Sequence, residues 1–154
     1  MKEMFKTKLI ISILEVIKWF SNIFAGLGVL GSFTLLIKTD SLLNEQGRQA
    51  IYLNELFYRI LFISLLPSII YVLLGYIIKW TMKDNFKIIQ KSVFKDIPTQ
   101  SYFLAITHYI IIIFTFIGVC IAHTHYIWLI SIPVLLFIFM IDFVVLMLLC
   151  ALED

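Results

Sequence analysis

The chain has 154 residues, of which 62% are hydrophobic, 16% aromatic and 14% charged, and its formal net charge is +2. A soluble domain carries about 45–50% apolar and about 25% charged residues, and one of this length leaves about a third of its unfolded-chain surface in water. The composition therefore excludes an ordinary soluble domain, and its scarcity of charge excludes a disordered chain. So small a net charge gives no global field for nucleic acid. The class that remains is an integral membrane protein.

Taken in chain order, four apolar runs each suffice to cross a hydrocarbon core about 30 Å thick, which takes about 20 helical residues. The first, 9–37, is interrupted by Glu15 and Lys18 and preceded by Lys2, Lys6 and Lys8. Its length, its internal charges and the lack of a small-residue cleavage site read as a retained helix, not a leader peptide. Gly26-Leu27-Gly28-Val29-Leu30-Gly31 has the letters of a dinucleotide fingerprint but no preceding strand. Its physical meaning is close helix approach, because Ser21, Ala25, Gly28 and Ser32 fall on one face as a stripe of small residues. Segment 38–59 follows, mixed in charge, with Gly47 as its breaker and 49–59 as a helical lead-in to the next run.

The second run, 60–78, contains Pro67, which predicts a kink, and the small residues Ser64, Ser68 and Gly75. Segment 79–101 is basic and amphipathic. Lys79, Lys83, Lys87, Lys91 and Lys95 recur every four residues, a slowly winding stripe on a helix. Met82, Phe86, Ile89, Val93 and Ile97 form a neighbouring apolar stripe, and Pro98 is expected to end or kink the element. Two placements fit. The segment lies on the inner leaflet with its lysines at anionic headgroups, or it continues the second helix as an arm that docks a cytosolic protein through these lysines and Phe86. The interleaved phenylalanines argue against direct contact with nucleic acid.

The third run, 102–122, includes Ile110-Ile111-Ile112-Ile113-Phe114, with none of the alternation a barrel strand needs. Lipid offers the backbone no partners, so helices are expected throughout. Small residues recur at Thr115, Gly118 and Ala122. The turn His123-Thr124-His125 leads to the fourth run, 126–152, interrupted only by Asp142. Cys120 and Cys150 sit within apolar runs and read as packing residues, not as a disulfide framework.

The lysines set the orientation. Lys2, Lys6, Lys8 and Lys18 belong on the same side as Lys79–Lys95, whereas segment 38–59 balances Lys38, Arg48 and Arg59 with Asp40, Glu45 and Glu55. The expectation is one all-α membrane domain over 1–154. Its four transmembrane helices form an antiparallel bundle with both termini inside. Trp19, Trp80 and Trp128 then stand at the two interfaces.

Ionisable groups within spans are costly and mark function by default; here they are Glu15, Lys18, His108 and Asp142. Counted from Tyr126, Asp142 lies about 24 Å in, a few ångströms short of the inner edge, and Lys18 reaches a similar level. Reflection about the turn at Thr124 brings His108 within about 3 Å of Asp142 along the axis. Asp142 therefore pairs with His108, or it pairs with Lys18 or snorkels to water while His108 bonds a helix carbonyl or a hydroxyl. Two apolar extensions, 5–17 and the run beyond Asp142, lie at one level; they pack on each other, pack against another subunit, or reflect tilt.

The sequence holds no metal-ligand cluster, nucleophile elbow, P-loop or paired carboxylates. His123 and His125 are two metal-capable groups without a third. The expectation is a non-enzymatic protein with no cofactor. By its four-pass topology, its lysine-rich inner segment and its Ile/Phe/Lys-rich style, the chain resembles the membrane subunit of the Kiwa phage-defence system, KwaA. It also resembles the immunity proteins against pore-forming bacteriocins. Neither resemblance carries over a functional residue. The first implies a subunit of the bacterial inner membrane that forms homo-oligomers, contacts lipid, senses an event at the envelope and holds a cytosolic partner. The second implies recognition of toxin helices within the bilayer. A third reading, from the residues, is a small ion or proton pathway lined by His108 and Asp142.

Overall fold

The computed structural model describes residues 2–43, 48–95, 97–122 and 128–152, with side-chain surroundings for 4–39, 53–95, 100–121 and 131–152. The tip 44–47 of the segment between the first two runs and the His123-Thr124-His125 turn lie outside the described residues. Those that are described form α1 (Lys2–Leu43), α2 (Arg48–Thr81), α3 (Lys83–Val93), α4 (Ile97–Ala122) and α5 (Trp128–Cys150), and no strand. Four of these helices, through Met4–Thr39, Leu53–Thr81, Gln100–Ile121 and Ser131–Cys150, are long and apolar enough to cross a membrane.

α1 and α2 are longer than their apolar runs. Helix continues through the polar stretch to Leu43 and resumes at Arg48, so 49–59 belongs to α2. α2 runs through Pro67, whose missing N–H leaves the carbonyl of Ile63 without its helical donor. Pro98 does not end the basic segment. It is the second residue of α4, where a helix needs no donor and a fixed φ is an asset.

The helices pack through their small residues. Ser21, Ala25, Gly28 and Ser32 are all buried. A methyl group on Gly28 would run into Ser64 Oγ, and Gly31 stands 3.6 Å from Ile60 by the same measure. On α4, a methyl on Gly118 would overlap the ring of Phe57. The stripe works by closeness and not by bonds across helices: Ser21 donates to the carbonyl of Ile17, Ser32 to Val29 and Ser64 to Ile60, each within its own helix. Large apolar side chains such as Leu30, Leu66 and Phe137 cover the outside, where a soluble bundle would place charge.

α3 is neither a free arm nor a continuation of α2. The backbone breaks at Met82, with φ −123° and ψ 47°. Phe86, Ile89 and Val93 turn inward and join one core cluster with Leu14, Tyr71, Leu149 and Leu152. The end of α5 packs against α2 and α3, with Leu152 fully buried beside Gly75 and Phe94. Its last carbonyls accept bonds from Tyr76 Oη at Leu148 (2.9 Å), Lys79 Nζ at Ala151 (3.5 Å) and Gln90 Nε2 at Leu152 (3.0 Å). Three side chains of α2 and α3 thus take up carbonyls that a helix C-terminus leaves open.

Candidate functional site

Three polar side chains from three helices meet inside the bundle. His108 of α4 has its Nδ1 2.7 Å from Asp142 Oδ1 of α5 and its Nε2 3.2 Å from Ser68 Oγ of α2. All three are buried, at 0% exposure for His108 and 1% each for Asp142 and Ser68.

Three proton placements fit this geometry. In one, Nδ1–H donates to the carboxylate and Nε2 accepts from the Ser68 hydroxyl. In a second an imidazolium donates from both nitrogens, and in a third a protonated Asp142 donates to Nδ1 while Nε2–H donates to Ser68 Oγ. In each, Asp142 Oδ2 stays buried without a hydrogen-bond partner. Such an atom is costly in an apolar medium and calls for an explanation.

The order Ser68–His108–Asp142 is that of a hydrolase triad, with Oγ on Nε2 and the carboxylate on Nδ1. Acyl transfer also needs a carbonyl within reach of the serine and donors for its oxyanion. Ser68 is closed off within the bundle, and the α2 backbone N–H groups around it are spent on their own helix. Among the described residues no third histidine, cysteine or carboxylate joins the pair as a metal site. What the arrangement does chemically is lock α2, α4 and α5 together through groups that have no substitute partner in lipid.

Lys18 is placed elsewhere. Its Nζ donates to the carbonyl of Val93, at 3.2 Å, the last residue of α3. A cation there satisfies an open carbonyl and meets the negative end of the helix dipole. Glu15 stands exposed on α1, apart from the pair. Of the basic segment, Lys79 lies on α2 and turns onto the protein, 5.8 Å from the ring centroid of Phe86. Lys83, Lys87, Lys91 and Lys95 remain exposed, while Phe86 is buried and turned from any partner. Lys6 lines the same cleft as Thr81, Lys83, Asp84 and Asn85, so basic residues of α1 and α3 share one end of the molecule.

Sequence reasoning missed Ser68 as a partner of His108, because the reflection about Thr124 relates only α4 and α5. It also missed the Lys18–Val93 bond, since α3 was expected on lipid or in water. Comparison with known protein families, with curated proteins and with solved structures finds no match in any of the three.

Proposed function

We propose that the protein is a non-enzymatic, multi-pass subunit of a bacterial inner membrane, with both termini and α3 on the cytoplasmic side. In this reading it forms homo-oligomers, responds to an event at the envelope, and holds a cytosolic protein against the lysine face of α3, as a phage-defence membrane subunit of the resembled kind would. The observation that carries the reading is the two-sidedness of α3. Phe86, Ile89 and Val93 fasten it to the bundle, and Lys83, Lys87, Lys91 and Lys95 face away. A rigidly held cationic surface suits an acidic partner better than a loose arm does. Lys18 and Gln90 tie α3 to α1 and to the end of α5, so a shift among the spans moves α3.

The orientation rests on Lys6 and α3 sharing an end and on exposed Trp19 and Trp80 flanking it. The antiparallel arrangement is supported by register, with Gly28 on Ser64 and Gly31 on Ile60. Changing Lys83, Lys87, Lys91 and Lys95 together to Glu is expected to reduce partner recovery in mild-detergent pull-downs by about tenfold or more. An unchanged set of co-purifying proteins contradicts the docking reading. A second reading, immunity against a pore-forming bacteriocin, draws on the open apolar groove between α2 and α5. It separates cleanly, because protection would survive the four lysine changes.

A further inference from the structure

The start of α1 and the elbow between α2 and α3 enclose an open cleft of about 340 Å³, lined by Lys6, Thr81, Met82, Lys83, Asp84 and Asn85. Two other basic side chains at this end are spent on the protein, Lys18 on the carbonyl of Val93 and Lys79 on the Phe86 ring. Lys6 and Lys83 are not. They come to one cleft from different helices, both exposed, and neither forms an ion pair among the described residues, not even with Asp84 of the same lining. Two ammonium groups against one carboxylate leave the lining with a surplus of positive charge. Asn85 adds a side-chain amide. Thr81 has its hydrogen on the carbonyl of Ile77, at 2.8 Å, so toward the cleft its oxygen only accepts. The cleft thus offers cationic donors to an anion and, in Asp84 and Thr81, acceptors to hydroxyl groups.

The position of the cleft says where such a ligand comes from. The outside of α2 stays apolar into its last turn, with Ile77 54% and Trp80 77% exposed, and the cleft begins at the next residue, Thr81. An exposed tryptophan at the end of an apolar face marks the headgroup level of a bilayer. We propose that the cleft binds the headgroup of an anionic phospholipid, with its phosphate between Lys6 and Lys83 and its headgroup hydroxyls on Asp84 and Thr81, as a phosphoglycerol group supplies them. A lipid held there joins the start of α1 to the α2–α3 elbow. Lys87, Lys91 and Lys95 lie outside the cleft and remain for the partner of α3. The inference rests on α1 and α3 meeting the membrane at one end, as in the proposed function, and not on the docking of a protein.

The test is lysine acetylation of the purified full chain, read residue by residue by mass spectrometry, in nanodiscs of phosphatidylcholine with and without phosphatidylglycerol. Phosphatidylglycerol is expected to slow acetylation of Lys6 and Lys83 about tenfold, the size of one hydrogen bond to a charged group. Lys91, on α3 but outside the cleft, should slow by less than about twofold. Equal slowing of all exposed lysines is a diffuse attraction and overturns the proposal. Lys6→Gln, a change at an exposed position that leaves the fold intact, should abolish the protection of Lys83, because one phosphate is shared; protection of Lys83 that survives overturns it too. Inorganic phosphate added to phosphatidylcholine nanodiscs should protect neither lysine, and protection equal to that by the lipid overturns the assignment to a lipid. The triple variant K87E/K91E/K95E, which removes most of the docking face, should keep the protection of Lys6 and Lys83, so the two readings fail separately.

Discussion

Asp142→Leu is expected to destabilise the folded bundle by about 3–5 kcal/mol, the range for removing one partner of a buried charged pair. The variant leaves His108 Nδ1, 2.7 Å from the lost carboxylate, with nothing to bond in an apolar interior. His108→Leu is expected to do as much harm, since it strands a carboxylate at 1% exposure. H108L/D142L should be more stable than either single variant, because two mutually satisfied groups leave together. A double-mutant cycle of SDS-driven unfolding, followed by helical circular dichroism, should give a coupling of about 3 kcal/mol, the upper end for groups in contact. Neutral intramembrane bonds average about 0.6 kcal/mol, so a value of that size would reduce the pair to an ordinary hydrogen bond. The Lys18 bond to Val93 adds a control: Lys18→Asp should not rescue Asp142→Lys.

The second large effect concerns α3. Ile89 is fully buried between Phe86 and Val93, on the face that holds α3 to the bundle. Ile89→Asp cannot keep an ionised carboxylate there, and it also removes a packed side chain worth about 2–5 kcal/mol. α3 is therefore expected to lift away from the end of the bundle. The readout is thiol labelling of Val93→Cys in a background without Cys120 and Cys150, since Val93 is 1% exposed while α3 is docked. Ile89→Asp should raise that rate by about 100-fold, which corresponds to about 3 kcal/mol of lost packing. Lys87→Asp, on the exposed face, should leave it within about twofold. If both variants label alike, α3 is not held as described and the lysine face loses its fixed geometry.

The spans were legible because lipid-facing and core-facing residues are both apolar, so the runs announce themselves. The end of α1 was not, since polar helix and polar loop look alike across Lys38–Leu43, whereas 49–59 read as a helical lead-in and is part of α2. Pro98 shows the same ambiguity: a proline that closes one element is equally suited to open the next. The closeness of His108 and Asp142 was readable because few residues separate the third and fourth apolar runs in the sequence, so the two runs relate by reflection. Ser68 was not, as nothing in the sequence sets how α2 rotates against α4. The stripe Phe86, Ile89, Val93 was visible as a stripe, but its destination depended on Leu14 and Leu149, distant in the chain. The α2–α5 groove is a shortfall of packing between two long apolar faces, and sequence patterns do not register a space.

The account rests on the four long helices crossing a bilayer with α3 at its inner face. Single cysteines at Lys38 and Lys87, both exposed, probe the two ends in intact cells with a membrane-impermeant maleimide. Lys38→Cys should label from outside, and Lys87→Cys only after the membrane is opened. Labelling of Lys87→Cys from outside, or of both positions alike in intact cells, contradicts it.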